Sequence, residues 1–324
     1  MGRVSPSVLI IRLDGIGDAL ALTPLLAALR REAVPVDVLL QRANAGIFSS
    51  RALREPIAGN VLLRCSSRSN LAAITRLGAE LAAKEYSHVL VATEDPAGYR
   101  LAGAIGAPVR IGFADSLGKP LKSLWSRRFL SSTIYRSAGL DRRAPHECQV
   151  LFALGRTLVP EAHPTRETSE LRPLVIEREP QPDERVAVQI TDKWERLGIG
   201  FEHVVTMLRR IAAGGVPRLV SAAAEREYGD RIAQATGTQI DYFDDLDSWK
   251  EALGAAPAVI APDGGALHVA GMIGTPVVAV FPPGRGYRLH VARWAPWAAP
   301  HRIVRADDGW PVRAEFALAE LLAL

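Results

Sequence analysis

The feature that most constrains this chain is a rhythm. Short runs rich in Val, Ile and Leu alternate with longer segments in which Leu and Ala recur at helical spacing; the alternation stops once, at a Pro- and charge-rich stretch, and then restarts. Strands joined through helices pair in parallel, because the crossover brings the chain back to start its next strand from the same edge of the sheet. In the first half the pattern predicts strands over Val8–Arg12, Val36–Leu40, Val61–Leu63, His88–Ala92 and Val109–Ile111. Helices are expected over Asp18–Arg31, Leu71–Lys84 and His146–Leu158. The stretch Val159–Arg185 interrupts the pattern and reads as the connection between domains. Beyond it, strands are expected over Val186–Ile190, Arg218–Val220, Gln239–Tyr242, Ala258–Ala261 and Val277–Phe281. The helices there are Glu202–Ala212, Glu225–Ala235, Ser248–Leu253 and Gly265–Ile273. The expected organisation is an α/β chain with a first domain over 1–165, a linker over 166–185, a second domain over 186–311 and a closing helix over 312–324. Two such domains in tandem leave a cleft between them, and ligands of open parallel sheets sit outside the carboxyl ends of the strands.

The totals agree with that organisation. A chain of 324 residues that is 48% hydrophobic and 23% charged can bury two cores. It offers no run of about 18 apolar residues and no secretory-type leader, so a cytoplasmic location is the expectation. Cys65 and Cys148 lack metal-ligand spacing and are expected to be reduced thiols.

The net charge of +4 conceals an asymmetry: residues 1–165 carry +8 and residues 166–324 carry −4. The densest basic region, Lys119 to Arg143, holds Lys122, Arg127, Arg128, Arg136 and Arg142, interleaved with Leu121, Leu124, Trp125, Phe129 and Leu130. It suits an anionic partner such as a phosphorylated substrate, a lipid headgroup or nucleic acid, and it would equally serve as a solvated loop. Zinc-finger spacing and RNA-binding aromatic signatures are absent, which places nucleic acid last.

Three turns that follow strands carry the chemistry. In "VLIIRLDGIGDALALTP" the strand runs into Asp14, Gly15, Gly17 and Asp18. A Walker loop would need a Gly-Lys-Ser/Thr ending, and a dinucleotide fingerprint would need a third Gly or Ala where Leu20 stands. Asp18 therefore reads either as a helix cap or as a carboxylate that accepts a proton from a hydroxyl nucleophile, with the helix N-terminus keeping its pKa low. The second turn, Asp192-Lys193-Trp194, offers a Lys able to neutralise phosphate with Trp194 as a flat wall, or simply a surface ion pair between Asp192 and Lys193. The third, Asp263-Gly264-Gly265-Ala266-Leu267-His268, exposes backbone N–H groups at a helix start, an anion site by its unpaired donors and dipole, with His268 within one turn. A second backbone-exposing turn, Pro282 to Gly284, follows the next strand.

These three stretches, "IIRLDGIGDALALTPLLAALR", "DKW" and "APDGGALHVAGMIGTPVVAVF", resemble in order and placement the heptosyltransferases of glycosyltransferase family 9. The resemblance spans nearly the whole chain. It implies a GT-B fold, two Rossmann-like domains facing each other across a cleft, with acceptor bound by the first and an ADP-sugar by the second, and neither metal nor cofactor. It implies that Asp18 is the general base, that Gly15, Gly17, Arg127 and Arg128 lie on the acceptor side, and that Lys193 contacts the donor diphosphate. Asp263, Gly264, Gly265, Ala266, Leu267 and His268 then hold diphosphate and sugar, with Glu225 near the ribose. Gly264 stands where the family usually has Ser or Thr, and Lys193 and Trp194 adjoin where the family commonly spaces them.

The chemistry so implied is inverting transfer of a sugar, heptose first, to a lipopolysaccharide-core or related anionic glycolipid, at the cytoplasmic face of the inner membrane. Three other readings compete: a family 9 transferase using another nucleotide-sugar and a non-lipopolysaccharide acceptor, a nicotinamide-dependent oxidoreductase using the first turn, and a nucleotide-sugar-binding subunit without catalysis.

Overall fold

The computed structural model describes residues 7–50, 55–59, 68–114, 120–135 and 145–324. The expected strand Val61–Leu63, Cys65, and the basic residues Lys119, Arg136, Arg142 and Arg143 lie outside them.

The chain divides into two compact units, Met1–Thr165 and Arg166–Leu324. The first holds strands β1 (Val8–Arg12), β2 (Val36–Gln41), β3 (Glu55–Gly59), β4 (His88–Val91), β5 (Val109–Phe113) and β6 (Ser132–Ile134), in the order β3-β2-β1-β4-β5-β6. The second holds β7 (Ala187–Gln189), β8 (Arg218–Ala222), β9 (Ile240–Phe243), β10 (Val259–Pro262), β11 (Val277–Phe281) and β12 (His301–Arg305), in the order β12-β11-β10-β7-β8-β9. Every pairing among these strands is parallel. Numbered within its own unit, each sheet runs 3-2-1-4-5-6, the doubly wound dinucleotide-fold order. Strands covered on both faces need apolar residues at every position rather than every second one. β1 and β11 are buried along their whole length, which is why Val8–Ile11 and Val277–Phe281 read as continuous apolar runs.

Several elements differ from the sequence expectation for identifiable reasons. The single helix expected over Asp18–Arg31 is two, Ile16–Leu20 and Thr23–Arg31. Pro24 has no N–H to give the Leu20 carbonyl four residues back, and the Thr23 hydroxyl donates to that carbonyl instead at 2.6 Å. The expected helix His146–Leu158 is the helix Glu147–Phe152 followed by a tightened turn, Ala153–Gly155. His146 caps it, its Nδ1 accepting from the Cys148 N–H at 3.1 Å.

The stretch 166–185, expected to be only a connection, contains the helix Thr168–Val175. Leu171, Leu174 and Val175 are buried in the second unit, and Arg172 donates to the Ile273 carbonyl at 2.8 Å, satisfying the end of a neighbouring helix. Pro173 and the surrounding charges hid that helix in the sequence. Helices Pro96–Ile105, Pro120–Ser126, Lys193–Arg196 and Tyr287–Trp294, and strands β3, β6 and β12, were not anticipated. The closing helix runs over Trp310–Leu322 and packs on β11, β12 and helix Phe201–Ala212.

Candidate functional site

In each sheet the strand order reverses beside the unit's first strand, so the loops leaving β1 and β4, and those leaving β7 and β10, part to opposite faces and open a crevice. All three sequence-selected turns lie at these reversals. They are described one unit at a time.

β1 ends in Arg12, which is buried with 1% of its surface exposed in a strand otherwise made of Val, Leu and Ile. Its Nε donates to the Asp18 carbonyl at 3.0 Å and its Nη2 to Asp18 Oδ1 at 2.7 Å. Nη1 donates to the Ala92 carbonyl at the end of β4 and stands 3.3 Å from Asp14 Oδ2. Glu147, wholly buried at the start of its helix, brings Oε1 to 3.7 Å from Nη2. One guanidinium thus organises three carboxylates, and Asp14, to which sequence reasoning attached no role, is one of them. The turn is tied down from β2: Gln41 donates to the Leu13 carbonyl, and Asn44 to the Asp14 carbonyl at 2.7 Å.

Asp18 does not cap its helix. Gly15 occupies the cap position, and Asp18 is the third helical residue. Its pKa lies above the ordinary carboxylate value, not below it as expected: burial pushes it up, joined by the charges of Asp14 and Glu147, against the pull of Arg12 and the Gly15 N–H. Gly15 has φ −70°, which any residue adopts. A Cβ there would meet Asp18 Oδ2 at an ordinary contact distance of 3.5 Å. Gly17 lies inside the same short helix. Arg127 and Arg128 are exposed on the turn after helix Pro120–Ser126; among the described residues no hydrogen bond or ion pair joins either to Asp14 or Asp18.

In the second unit the turn after β7 begins a short helix, Lys193–Arg196. Thr191 links it to the end of β8: its hydroxyl donates to Glu225 Oε1 at 3.0 Å and lies 3.2 Å from the Lys193 N–H. The other Glu225 oxygen is buried without a hydrogen-bond partner, and burial raises the Glu225 pKa against the Thr191 hydrogen bond. Asp192 pairs with Arg196 at 2.6 Å, so it is not committed to Lys193. Trp194 is no wall of the site. It is fully buried, donates to the Gln189 carbonyl at 3.0 Å and stacks on Trp310 with centroids 5.7 Å apart. Neighbouring helical positions point about 100° apart, and Lys193 outward means Trp194 inward.

At the end of β10 the Asp263 N–H continues the sheet to the Val280 carbonyl at 2.9 Å, while its carboxylate accepts from or pairs with His290 Nε2 at 2.8 Å. Burial alone would raise the Asp263 pKa; the His290 hydrogen bond and the charges of Lys193, His268 and His290 outweigh it and hold the group below its ordinary value. Gly264 is extended, with φ 175°. A Cβ built there would lie 3.3 Å from both Cδ and Nζ of Lys193, so the lysine rests along the bare backbone of the third turn.

The helix Gly265–Ile273 that follows has no side-chain cap, leaving its first N–H groups for a ligand. Ala266 and Leu267 are buried in the core and offer only backbone. His268 is buried edge-on to Trp294, with centroids 5.6 Å apart. His290, on the helix Tyr287–Trp294, was missed; the only signal for it was the turn Pro282 to Gly284 that leads into its helix. Glu225, Thr191, Lys193, Gly264, Asp263 and His290 form one connected set. Among the described residues no three His, Cys, Asp or Glu side chains come together as metal ligands.

Two parallel six-stranded α/β units of this order define the GT-B fold class. No protein-family model matches the chain, and no curated protein is similar to it in sequence at a significant level. Among solved structures it is similar to a glycosyl transferase family 9 protein from Veillonella parvula DSM 2008, with TM-score 0.73 and 16% identity over 100% of this chain and 99% of that one. It is similar also to E. coli heptosyltransferase WaaC with ADP, with TM-score 0.73 and 16% identity over 97% of this chain and 99% of that one. E. coli ADP-heptose lps heptosyltransferase II gives TM-score 0.69 and 17% identity, covering 98% of both chains. At such identities the likeness establishes the fold, and function has to be argued from the site.

Proposed function

We propose that the protein is an inverting glycosyltransferase that needs no metal and moves a sugar, heptose first, from an ADP-sugar to a lipopolysaccharide-core or related anionic glycan acceptor. The observation that carries the reading is Lys193 resting on Gly264, beside Asp263 and an uncapped helix start at the β7/β10 reversal. A fixed cation and unpaired N–H groups converge there as a diphosphate requires. The resemblance to family 9 and the fold shared with an ADP-bound heptosyltransferase support ADP and heptose.

In the proposed reaction Asp18 takes the proton of an acceptor hydroxyl as that oxygen bonds to the anomeric carbon. The bond from this carbon to the diphosphate oxygen breaks, and its electron pair leaves on ADP through an oxocarbenium-like transition state. Lys193, His268 and the helix start stabilise the charge that ADP gains. The raised pKa of Asp18 makes it a stronger base than an ordinary carboxylate. Burial is the largest source of that basicity, Asp14 and Glu147 add to it, and Arg12 supplies its geometry. A dinucleotide would bring its pyrophosphate against these three carboxylates, which counts against the oxidoreductase reading.

The test is a calorimetric panel of ADP-, UDP-, GDP- and dTDP-sugars, followed by transfer to a truncated lipopolysaccharide core in the presence of EDTA. ADP-heptose is expected to bind best and to be consumed. Preference for another nucleotide would replace the donor, and binding without transfer would leave a non-catalytic subunit.

A further inference from the structure

Helix Pro120–Ser126 is turned inside out. Ser123 and Ser126 are buried, while Leu121 and Leu124 are 84% and 63% exposed. What fixes this orientation is the packing on the opposite side. Trp125 meets Tyr99 edge-on at 6.1 Å, Phe129 at 4.9 Å and the Arg100 guanidinium at 5.4 Å. Phe129 sits over Gly103, where a Cβ would come within 2.7 Å of its ring, and Leu130 is buried in the core of the first unit. With Trp125, Phe129 and Leu130 pulled inward, the leucines are held out.

Tyr135, 60% exposed, follows β6 at the sheet edge, and Arg127 and Arg128 are exposed between. Residues 120–135 include no Asp or Glu. Lys122 is neutralised by Glu94 at 3.1 Å, and Arg110 is turned to the Phe129 and Ala107 carbonyls, which leaves Arg127 and Arg128, among the described residues 120–135, as outward charges of this face.

A single exposed leucine is ordinary. Two leucines on one short helix with its serines inside, beside a tyrosine and two arginines with no acid among them, fit one environment in particular. That environment is apolar a few ångströms in and anionic at its surface. We propose that Leu121, Leu124, Arg127, Arg128 and Tyr135 form a face that docks on an anionic lipid bilayer. The leucines enter the boundary between headgroups and acyl chains, the arginines meet the lipid phosphates, and the tyrosine lies at the interface. The proposal rests on the transferase reading only for which membrane is visited, so docking and ADP-sugar binding can fail separately.

Co-sedimentation tests it, using vesicles of phosphatidylcholine alone and vesicles in which about three lipids in ten are phosphatidylglycerol. The full chain is expected to bind the anionic vesicles and to leave the neutral ones. Arg127→Glu with Arg128→Glu should weaken binding by at least ~25-fold, at about five-fold per charge near the surface. Leu121→Ser with Leu124→Ser should weaken it by roughly ten-fold or more, with the thermal transition and ADP affinity unchanged. Wild-type protein that ignores both vesicles would overturn the proposal, as would serine variants that bind like wild type. So would sedimentation velocity in which the wild type is a dimer and the serine variant a monomer, since the face would then be a subunit interface.

Discussion

Replacing Arg12 with Met removes one buried cation from among three carboxylates and leaves a side chain of similar length in its place. Deleting one partner of a buried ion pair costs about 3–5 kcal/mol, because the charge left behind stays desolvated. Glu147 is wholly buried and bears that cost; Asp14 and Asp18 are 28% and 36% exposed and recover part of their solvation. Glu147 also keeps other interactions, so the expected loss is near the lower limit, about 3 kcal/mol. For a unit of this size that corresponds to a fall of roughly 6–12 °C in its transition.

The pH dependence has a definite sign. Deprived of Arg12, Asp18 has its folded-state pKa raised further above its unfolded value, so the part of the deficit it carries is fully present at high pH and shrinks as pH falls through that raised value. Arg12→Met with Glu147→Gln should recover about half the loss, since the buried charge has gone with its partner. Calorimetry of the three proteins between pH 5 and 8 decides it. A shift of less than about 2 °C, or a deficit that is the same at both ends of the range, would refute the view that Arg12 holds the turn through charge.

Asp18→Asn should abolish transfer while ADP affinity stays within a few-fold, and in the wild type the acid limb of kcat/KM should lie above the ordinary carboxylate range because the Asp18 pKa is raised; a near-normal rate in the Asn variant would remove Asp18 as the base. Lys193→Ala should weaken ADP binding by about ten- to a hundred-fold, the worth of a charge-assisted contact, as read by calorimetry. His290→Gln keeps a donor for Asp263 without the capacity for charge, so its ADP affinity should fall below that of wild type in calorimetry; equal affinity would show that His290 acts only through its hydrogen bond.

Much of this was legible in the sequence, since parallel strands buried on both faces advertise themselves as apolar runs and the turns that follow them are where ligands go. Asp18, Lys193 and the stretch from Asp263 to His268 could be singled out for that reason. What was illegible depends on directions that spacing does not encode. Trp194 could not be known to face the core, because a helix of four residues gives no periodicity to read. Arg12 looked like the end of a strand, and only the fold brings Ala92 and Glu147 to it from far along the chain. The Asp18 pKa was misjudged because a helix start was weighed without the burial of the carboxyl group and the two other carboxylates beside it. His290 lies on a helix with no buried residues, so no apolar stripe announced it.

The stacking of Trp194 on Trp310 ties Lys193, the proposed donor contact, to a segment more than a hundred residues further along the chain. On a ribosome the strand and turn carrying Lys193 emerge more than a hundred residues before Trp310 does. Until the segment Trp310–Leu322 has been made and has folded back, that turn lacks its rear support. In the proposed reading, a nascent chain would then hold nucleotide poorly until the helix Trp310–Leu322 had formed.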